Sequence, residues 1–597
     1  MKLSRLYSNK PTLFVPIEWN RGLNVVYANV TRPKEDDKDS HNLGKTLLIH
    51  LIDFMLLKES GPGHFLYDNK ATFSGFEFFL ELELNDGGYI TVSRGVDKPS
   101  KISFKRHADR NEDFSNLAEP YWDKFREPFT KSTEFLNQIL NLDTIKPYAF
   151  RKGVSYFLRT QADYLDVFQL SKFMKGRHAD WKPFMALLLG FNWKLVDKKY
   201  EVDEEIVRLE KFAESYEQEA GASLEHFDRV KGLLQIKRAE LDELQAQTER
   251  FNYLSQELKL NYELVSEVER RVAELNEQLY SVNYEIQNIG EALRERSYMD
   301  LKKVEELFAE LNIYFPERLH KDYEALLEFN RRLFEERNER LEDRARSLES
   351  DRARIEVQLR EQNNRREELL AVVHEEDWFR RYQSMQADIG IRHGEVIRLE
   401  AELSRLDVLT KNERQLEALR ADRADLVARI RENVNEGNAT YTYVRSRFNV
   451  IVRGVLDLPA LLSSTVNTLG NIDFDASLIL DEASMKFTSE GKGTSYKKLL
   501  CAAFDMSVLE AYSQDSFYRF VYHDGILEGL DNRKKQKFLA VVEEFCKKFG
   551  LQYILTVIDA DLPRDAQDKK VPFADEAVVL ELHEGGDAGR LFKMPKF

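Results

Sequence analysis

Gly44-Lys45-Thr46 is the first group of residues in this chain with the types and order for phosphate chemistry. It follows the apolar run Gly22-Leu23-Asn24-Val25-Val26 and opens the helix-forming run Leu47-Leu48-Ile49. A turn from strand to helix offers an anion a row of backbone N–H groups, and the helix N-terminus adds partial positive charge. Here those groups belong to Asn42, Gly44, Lys45, Thr46 and Leu47. The Lys45 ammonium would neutralise phosphate, and the Thr46 hydroxyl would hold magnesium. The usual spacing leaves four residues between a first glycine and Gly-Lys-Thr. Ala28 stands where that glycine would fall, and the charged stretch 31–39 reads as an insertion. Magnesium also needs a carboxylate nearby. Asp524 ends the apolar run Phe520-Val521-Tyr522-His523 and is the expected partner. Asp481-Glu482, after Leu478-Ile479-Leu480, is kept as the alternative site.

Lys45 and Asp524 lie near opposite ends of the chain, so something between them must run out and return. From Phe184 to Leu458 there is one proline, Pro316, among 14 in the whole chain. An interior proline costs a helix about 3 kcal/mol, so the gap marks long helices. Apolar residues then alternate at three and four: Phe251, Leu254, Leu258, Val265, Val268, Val272, Leu275, Leu279, Val282, Ile286, Ile289. Only one position is missing, between Leu258 and Val265. That is a coiled-coil seam. Leu341, Ala345, Leu348, Ile355 and Leu359 start a returning seam, and Leu399, Leu403 and Leu406 continue it.

The fold class expected is α/β: a nucleotide-binding head assembled from N- and C-terminal lobes, interrupted by a long antiparallel coiled-coil hairpin. The outgoing arm, 206–290, would be about 125 Å long at 1.5 Å per residue. The returning arm, 322–432, is longer, so it needs a local break, expected at 378–394. The boundaries are 1–200 for the N-terminal lobe, 201–435 for the coiled coil with its tip near 290–322, and 436–597 for the C-terminal lobe. Strands are expected at 12–17, 23–26, 76–84 and 89–94, then at 474–480, 517–522 and 553–558. A hairpin of 577–582 with 591–592 would close the chain.

Charged residues make up 32% of the chain and the formal net charge is −16, so nucleic acid cannot bind the average surface. One local exception is 146–199, where eleven lysines and arginines face four acidic residues, with Phe157, Tyr164, Phe168, Trp181 and Trp193 interleaved. Basic residues with aromatics suit backbone contact with DNA; a helical subdomain with an aromatic core explains them equally well. The two cysteines, Cys501 and Cys546, lie in apolar stretches and read as buried thiols of a reducing compartment. No apolar run reaches membrane-spanning length. A soluble, cytoplasmic protein is expected.

This layout resembles the SMC/RecN branch of ABC-type ATPases, whose heads are split by a coiled-coil hairpin. The insertion-bearing loop ending in Ser40-His41-Asn42-Leu43-Gly44-Lys45-Thr46 is similar to that of bacterial ATPases from three-component ABC systems, Lamassu-type anti-phage defences among them. The resemblance implies ATP and Mg²⁺ as cofactors. It assigns phosphate and magnesium to Lys45 and Thr46, the metal-side aspartate to Asp524 and a glutamine-loop position, on the metal, to Gln161. It also implies a D-loop at Leu530-Asp531, and a signature position at Gly491–Ser495, where Gly493, Thr494 and Ser495 would cap ATP held by a second head.

The chain departs from that pattern at the catalytic glutamate, where Gly525 stands directly after Asp524. A general base must reach the attacking water, and glycine cannot. Glu528 and His523 are the remaining candidates. The switch histidine is replaced by Thr556-Val557-Ile558-Asp559, and the signature lacks its paired glycines. Slow or conditional hydrolysis is therefore expected. The partners implied are double-stranded DNA, a second copy joined through ATP, a small middle subunit and a nuclease-type effector, with no membrane. The expected function is sensing or clamping DNA and activating that effector in anti-phage or anti-plasmid defence. A housekeeping recombination-repair ATPase and a structural scaffold with a degenerate head are the alternatives. The tip carries no Cys-x-x-Cys, which excludes a zinc hook.

Overall fold

The computed structural model describes residues 1–29, 43–220, 227–256, 262–294, 317–370, 376–481, 486–487, 493–565, 567 and 569–597. They form two compact units: Met1–Glu205 with Leu419–Phe597, and Ile206–Ala418.

The first unit is built on a five-stranded parallel sheet whose strands come from both ends of the chain. Their spatial order is Val578–His583, Leu23–Asn29, Gln552–Ile558, Phe520–His523, Leu158–Arg159. Every neighbouring pair is parallel, with Val25 opposite Leu555 and Tyr522 opposite Ile554. Such a sheet is covered on both faces, which is why its strands read as continuous apolar runs. Val25, Val26, Val521, Tyr522, Ile554 and Leu555 are fully buried. In an open parallel sheet ligands bind at the carboxyl ends of the strands, and Asp524 and the Lys45–Met55 helix stand at that end.

A six-stranded antiparallel sheet, in the order Ile17–Glu18, Lys2–Ser8, Glu77–Glu83, Tyr89–Gly95, Lys101–His107, Lys124–Pro128, completes the N-terminal part. Its first long strand, Lys2–Ser8, begins before the expected 12–17, of which only Ile17 is extended in a strand. The hairpin expected for 577–582 with 591–592 does not form. Val578–His583 instead pairs in parallel with Leu23–Asn29. Leu591 donates its N–H to the Leu43 carbonyl at 3.1 Å. A third sheet, antiparallel, holds Ala460–Val466, Ile472–Asp481 and Lys486–Phe487.

The second unit is helical and departs from a straight hairpin. The Phe227–Gln256 helix runs antiparallel to Glu376–Glu436, with Glu240 against Arg392 and Lys237 against Glu395 at 3.6 and 3.2 Å. The Tyr262–Arg294 helix lies along the same stretch of Glu376–Glu436 but runs parallel to it. His393 Nδ1 is 3.3 Å from Glu277, the Tyr280 ring closes on Gly394, and the Arg398 guanidinium sits 5.6 Å over the Tyr284 ring. Glu277 would stand about 58 Å beyond Arg238 on one straight helix at 1.5 Å per residue. Arg238 instead pairs with Glu400, a few residues from His393. The two helices therefore run in opposite directions, which corrects the continuous outgoing arm of 206–290.

Glu317–Leu370 runs antiparallel to Tyr262–Arg294, with Arg344 against Glu285 and Arg366 against Glu269. Seam residues Val272, Leu275, Leu348 and Ile355 are buried, and Leu399 and Leu406 join a cluster with Val230, Leu234 and Leu241. Packing several helices together buries more apolar surface than one two-helix seam does, which is the physical gain of folding back. The break expected at 378–394 is absent: Glu376–Glu436 is one helix through Gly394, and the preceding helix ends at Leu370. Pro316 and most of the expected tip lie outside the described residues.

Candidate nucleotide site

Gly44 caps the Lys45–Met55 helix in the left-handed region (φ 100°). A Cβ there would meet the Leu591 Cβ at 2.7 Å, so both conformation and space demand glycine. The first-turn N–H groups of Thr46 and Leu47 have no intrahelical acceptor by the rule of helix ends. Lys45 is buried, whereas Thr46 is exposed at the turn. Asn42 lies outside the described residues.

Thr46 and Asp524 meet. The Thr46 hydroxyl donates to Asp524 Oδ2 at 3.1 Å, across 478 positions of sequence. Asp524 is buried, and its Oδ1 accepts from Thr556 Oγ1 at 2.6 Å. Thr556 Oγ1 in turn accepts the Gly525 N–H at 2.7 Å. One carboxylate oxygen is thus held by the neighbouring strand while the other faces the Thr46 hydroxyl. Among the described residues no three His, Cys, Asp or Glu side chains gather as a metal cluster. Magnesium fits such a place, since it takes one or two protein oxygens and draws the rest from phosphates and water.

Gln161 stands on a short 3₁₀ turn, Gln161–Leu165, and donates from Nε2 to Glu528 Oε1 at 3.0 Å. Glu528 Oε2 also accepts from Lys498 Nζ at 2.9 Å, and the same ammonium reaches the Gly525 carbonyl at 2.9 Å. A cavity of about 360 Å³ opens beside Thr46 and Gln161, with His50, Asp53, Lys58 and Lys172 also lining it.

His523 does not face this site. Its Nδ1 pairs with the Tyr553 hydroxyl at 2.5 Å and its Nε2 with Asp505 Oδ2 at 3.0 Å, inside the core. Burial lowers its pKa, so the ring stays neutral despite the Asp505 carboxylate. The expectation that it handles the proton of an attacking water is corrected: His523, the last strand residue, turns into the core against Tyr553 and Asp505, while Asp524, just past the strand's end, meets Thr46. Asp505 also takes the fully buried Arg159 guanidinium, from Nε at 2.5 Å and Nη2 at 2.9 Å.

Gly493 caps the Thr494–Ala511 helix. Ser495 packs against the 525–530 turn, its Oγ 2.5 Å from where a Gly529 Cβ would lie. The Thr494 side chain lies outside the described residues. Asp531 caps the Asn532–Phe549 helix, accepting the Lys534 N–H at 3.0 Å and pairing with its ammonium at 2.7 Å. Those bonds to Lys534 hold its carboxyl below the usual range. Asp481 belongs to the antiparallel sheet and pairs with Lys486, so it is not on the parallel sheet that carries Asp524. Its side chain and Glu482 lie outside the described residues.

The basic stretch 146–199 is mostly engaged within the first unit. Arg151 pairs with Asp53, Lys152 with the Asp180 carbonyl, Arg159 with Asp505, Lys182 with Asp473 and Lys199 with Asp203. Phe157, Tyr164, Phe168 and Trp181 are buried, so the interleaved aromatics are core.

Three residues of this site were given no role from the sequence. Thr556 interrupts an apolar strand, Asp505 is a charge inside the apolar helix Leu499–Leu509, and Lys498 sits one turn beyond Thr494. A polar residue in an otherwise apolar run was the available signal in the first two.

Among the described residues no helix is long and apolar enough to cross a membrane. Residues 451–596 match a family described as an uncharacterised protein conserved in bacteria (DUF2326). No curated protein matches the chain. The solved structures it is similar to include the Smc head domain with a coiled coil and joint from Pyrococcus yayanosii, at 14% identity and TM-score 0.34, covering 96% of this chain and 98% of that one. Another is the Smc head domain with an extended coiled coil, bound to the C-terminal domain of ScpA, from Pyrococcus furiosus, at 11% identity and TM-score 0.34, covering 94% and 90%.

Proposed function

We propose that this chain binds ATP and Mg²⁺ in the manner of an SMC/RecN-like head and uses the bound nucleotide to join a second copy of itself. The observation that carries the reading is the 3.1 Å contact between Thr46 Oγ1 and Asp524 Oδ2, at the carboxyl end of a parallel sheet built from both chain ends. Lys45 and the first-turn N–H groups would hold the phosphates, and Thr46 with Asp524 would hold the cation. Magnesium would neutralise the phosphates and polarise the terminal one. Gly493–Ser495 and Asp531 are assigned to the opposite copy's nucleotide. The joined copies would clamp duplex DNA by its backbone and pass that state to a small subunit and an effector in cytoplasmic defence. The DNA and effector parts rest on the layout of the chain.

The test is calorimetric titration of the full chain with Mg-ATP, with light scattering for dimer formation. Removing a charge-assisted phosphate contact costs about 1.5–3 kcal/mol, so Lys45→Ala should weaken ATP about 10- to 150-fold and abolish ATP-dependent dimers. A wild-type chain that does not bind Mg-ATP, or a Lys45→Ala chain that binds it equally well, sinks the proposal. ATP-dependent dimers that ignore DNA would favour the scaffold reading over the clamp.

A further inference from the structure

Gly525 occupies the position directly after the metal-side aspartate, where a carboxylate would ordinarily stand. Its backbone is left-handed at φ 66°, a conformation that disfavours every residue with a Cβ. The space in front of it is filled. A Cβ at Gly525 would meet Glu528 Oε1 at 2.7 Å, Glu528 Cδ at 2.8 Å and Gln161 Nε2 at 2.9 Å. The carboxylate of Glu528 thus lies where a side chain of residue 525 would begin.

Three segments hold it there. The Glu528 N–H closes the turn onto the Gly525 carbonyl at 3.4 Å, folding residue 528 back over residue 525. Gln161 donates to Oε1 at 3.0 Å, and Lys498 donates to Oε2 at 2.9 Å while gripping the Gly525 carbonyl. Lys498 is buried and Glu528 is half-buried, so one face of the carboxylate remains open to solvent. A surface lysine–glutamate pair is worth little. This pair has a buried lysine that also binds the backbone of the glycine, so it fixes geometry.

We propose that Glu528 is the general base of ATP hydrolysis, displaced by three residues from the usual position, and that Lys498 is its positioning residue. This rests on the nucleotide-site reading above. Glu528 accepts a proton from the attacking water, whose oxygen forms the new bond to the terminal phosphorus. The bond from that phosphorus to the bridging oxygen breaks, and its electron pair leaves with the diphosphate. The proton on Glu528 then returns to solvent. Because Lys498 stands one turn into the helix opened by Gly493–Ser495, the base is tied to the segment assigned to the other copy's nucleotide.

The experiment uses the full chain and reads ATP hydrolysis, ATP affinity and lifetime of the ATP-dependent dimer. Loss of a general base slows turnover about 10²- to 10⁴-fold. Glu528→Gln should lose at least 100-fold in kcat, keep ATP affinity within threefold and prolong the dimer. Lys498→Ala should lower kcat about tenfold with KM unchanged, and Lys498→Arg should restore most of it. Gly525→Ala, which pushes into the carboxylate, gives an independent variant with the same expected loss of turnover. Wild-type turnover in Glu528→Gln, with ATP binding still dependent on Lys45, overturns the assignment and leaves the binding site standing. Lys498→Ala that raises KM and leaves kcat intact overturns the positioning role. A wild-type chain that fails to bind ATP instead removes the reading beneath both.

Discussion

Behind the candidate site, Arg159 and Asp505 form an ion pair with side chains 0% and 1% exposed. The guanidinium gives two N–H groups to Asp505 and others to the carbonyls of Asp163 and Val167, at 3.0 and 2.6 Å. His523 adds a third bond to Asp505. Asp505→Ala would strip two guanidinium N–H groups and one imidazole nitrogen of their acceptor, leaving a buried unpaired charge. Such a loss costs about 3–5 kcal/mol, because desolvation is retained while the attraction is gone. Arg159→Met should cost a comparable amount, since Asp505 would keep only a neutral histidine. Replacing both, as Arg159→Met with Asp505→Leu, removes the charge along with its partner and should come within about 2 kcal/mol of wild type. The cycle therefore carries a coupling of about 4 kcal/mol or more. Four of the five tryptophans (Trp19, Trp122, Trp181, Trp193) lie in the first unit, so urea unfolding followed by tryptophan fluorescence reports on it selectively. Because His523 directly precedes Asp524 at the end of its strand, ATP affinity should fall with Asp505→Ala and recover in the double variant. A single substitution costing less than about 1 kcal/mol, or a double variant costing the sum of the singles, refutes the reasoning.

Two further outcomes follow from particular contacts. Asp53 lies 2.8 Å from both Arg151 and Lys58. Burial works against its charge, but the two cations prevail and hold its carboxyl at about 2, from an ordinary 3.8. Its stabilisation is complete above about pH 4 and is lost as pH falls toward 2, worth about 2 kcal/mol, so Asp53→Asn should flatten that part of the stability–pH curve; parallel curves would refute it. In the helical unit, cysteine pairs at Glu240 with Arg392 and at Glu277 with His393 should both cross-link in the monomer, against a background of two buried native thiols. A straight hairpin permits only one of the pairs, so failure of the second refutes the fold-back.

Much of the candidate site was legible in the chain because its parts are local. A left-handed glycine, a lysine and a threonine open a helix whose first turn adjacent residues dictate, and an apolar run leading to Asp524 marks a buried strand. Heptad spacing likewise declared long helices, since a 3.5-residue repeat has one structural meaning. What these local signals lacked was direction. Heptads in 227–256 and 262–294 read the same whether the two helices continue or reverse, and only the contacts of Tyr280 and Glu277 with Gly394 and His393 decide.

By itself, then, the sequence determined the long helices, the glycine that opens the Lys45–Met55 helix and the apolar strand ahead of Asp524, because backbone preference and apolar period act over a few residues. Tertiary structure decided everything that depends on packing across hundreds of positions: that Val578–His583 joins the parallel sheet, that His523 turns into the core against Asp505, and that the Glu528 carboxylate fills the place left by Gly525. Side-chain direction and reach are set by what lies opposite in space, and no spacing along the chain carries that information.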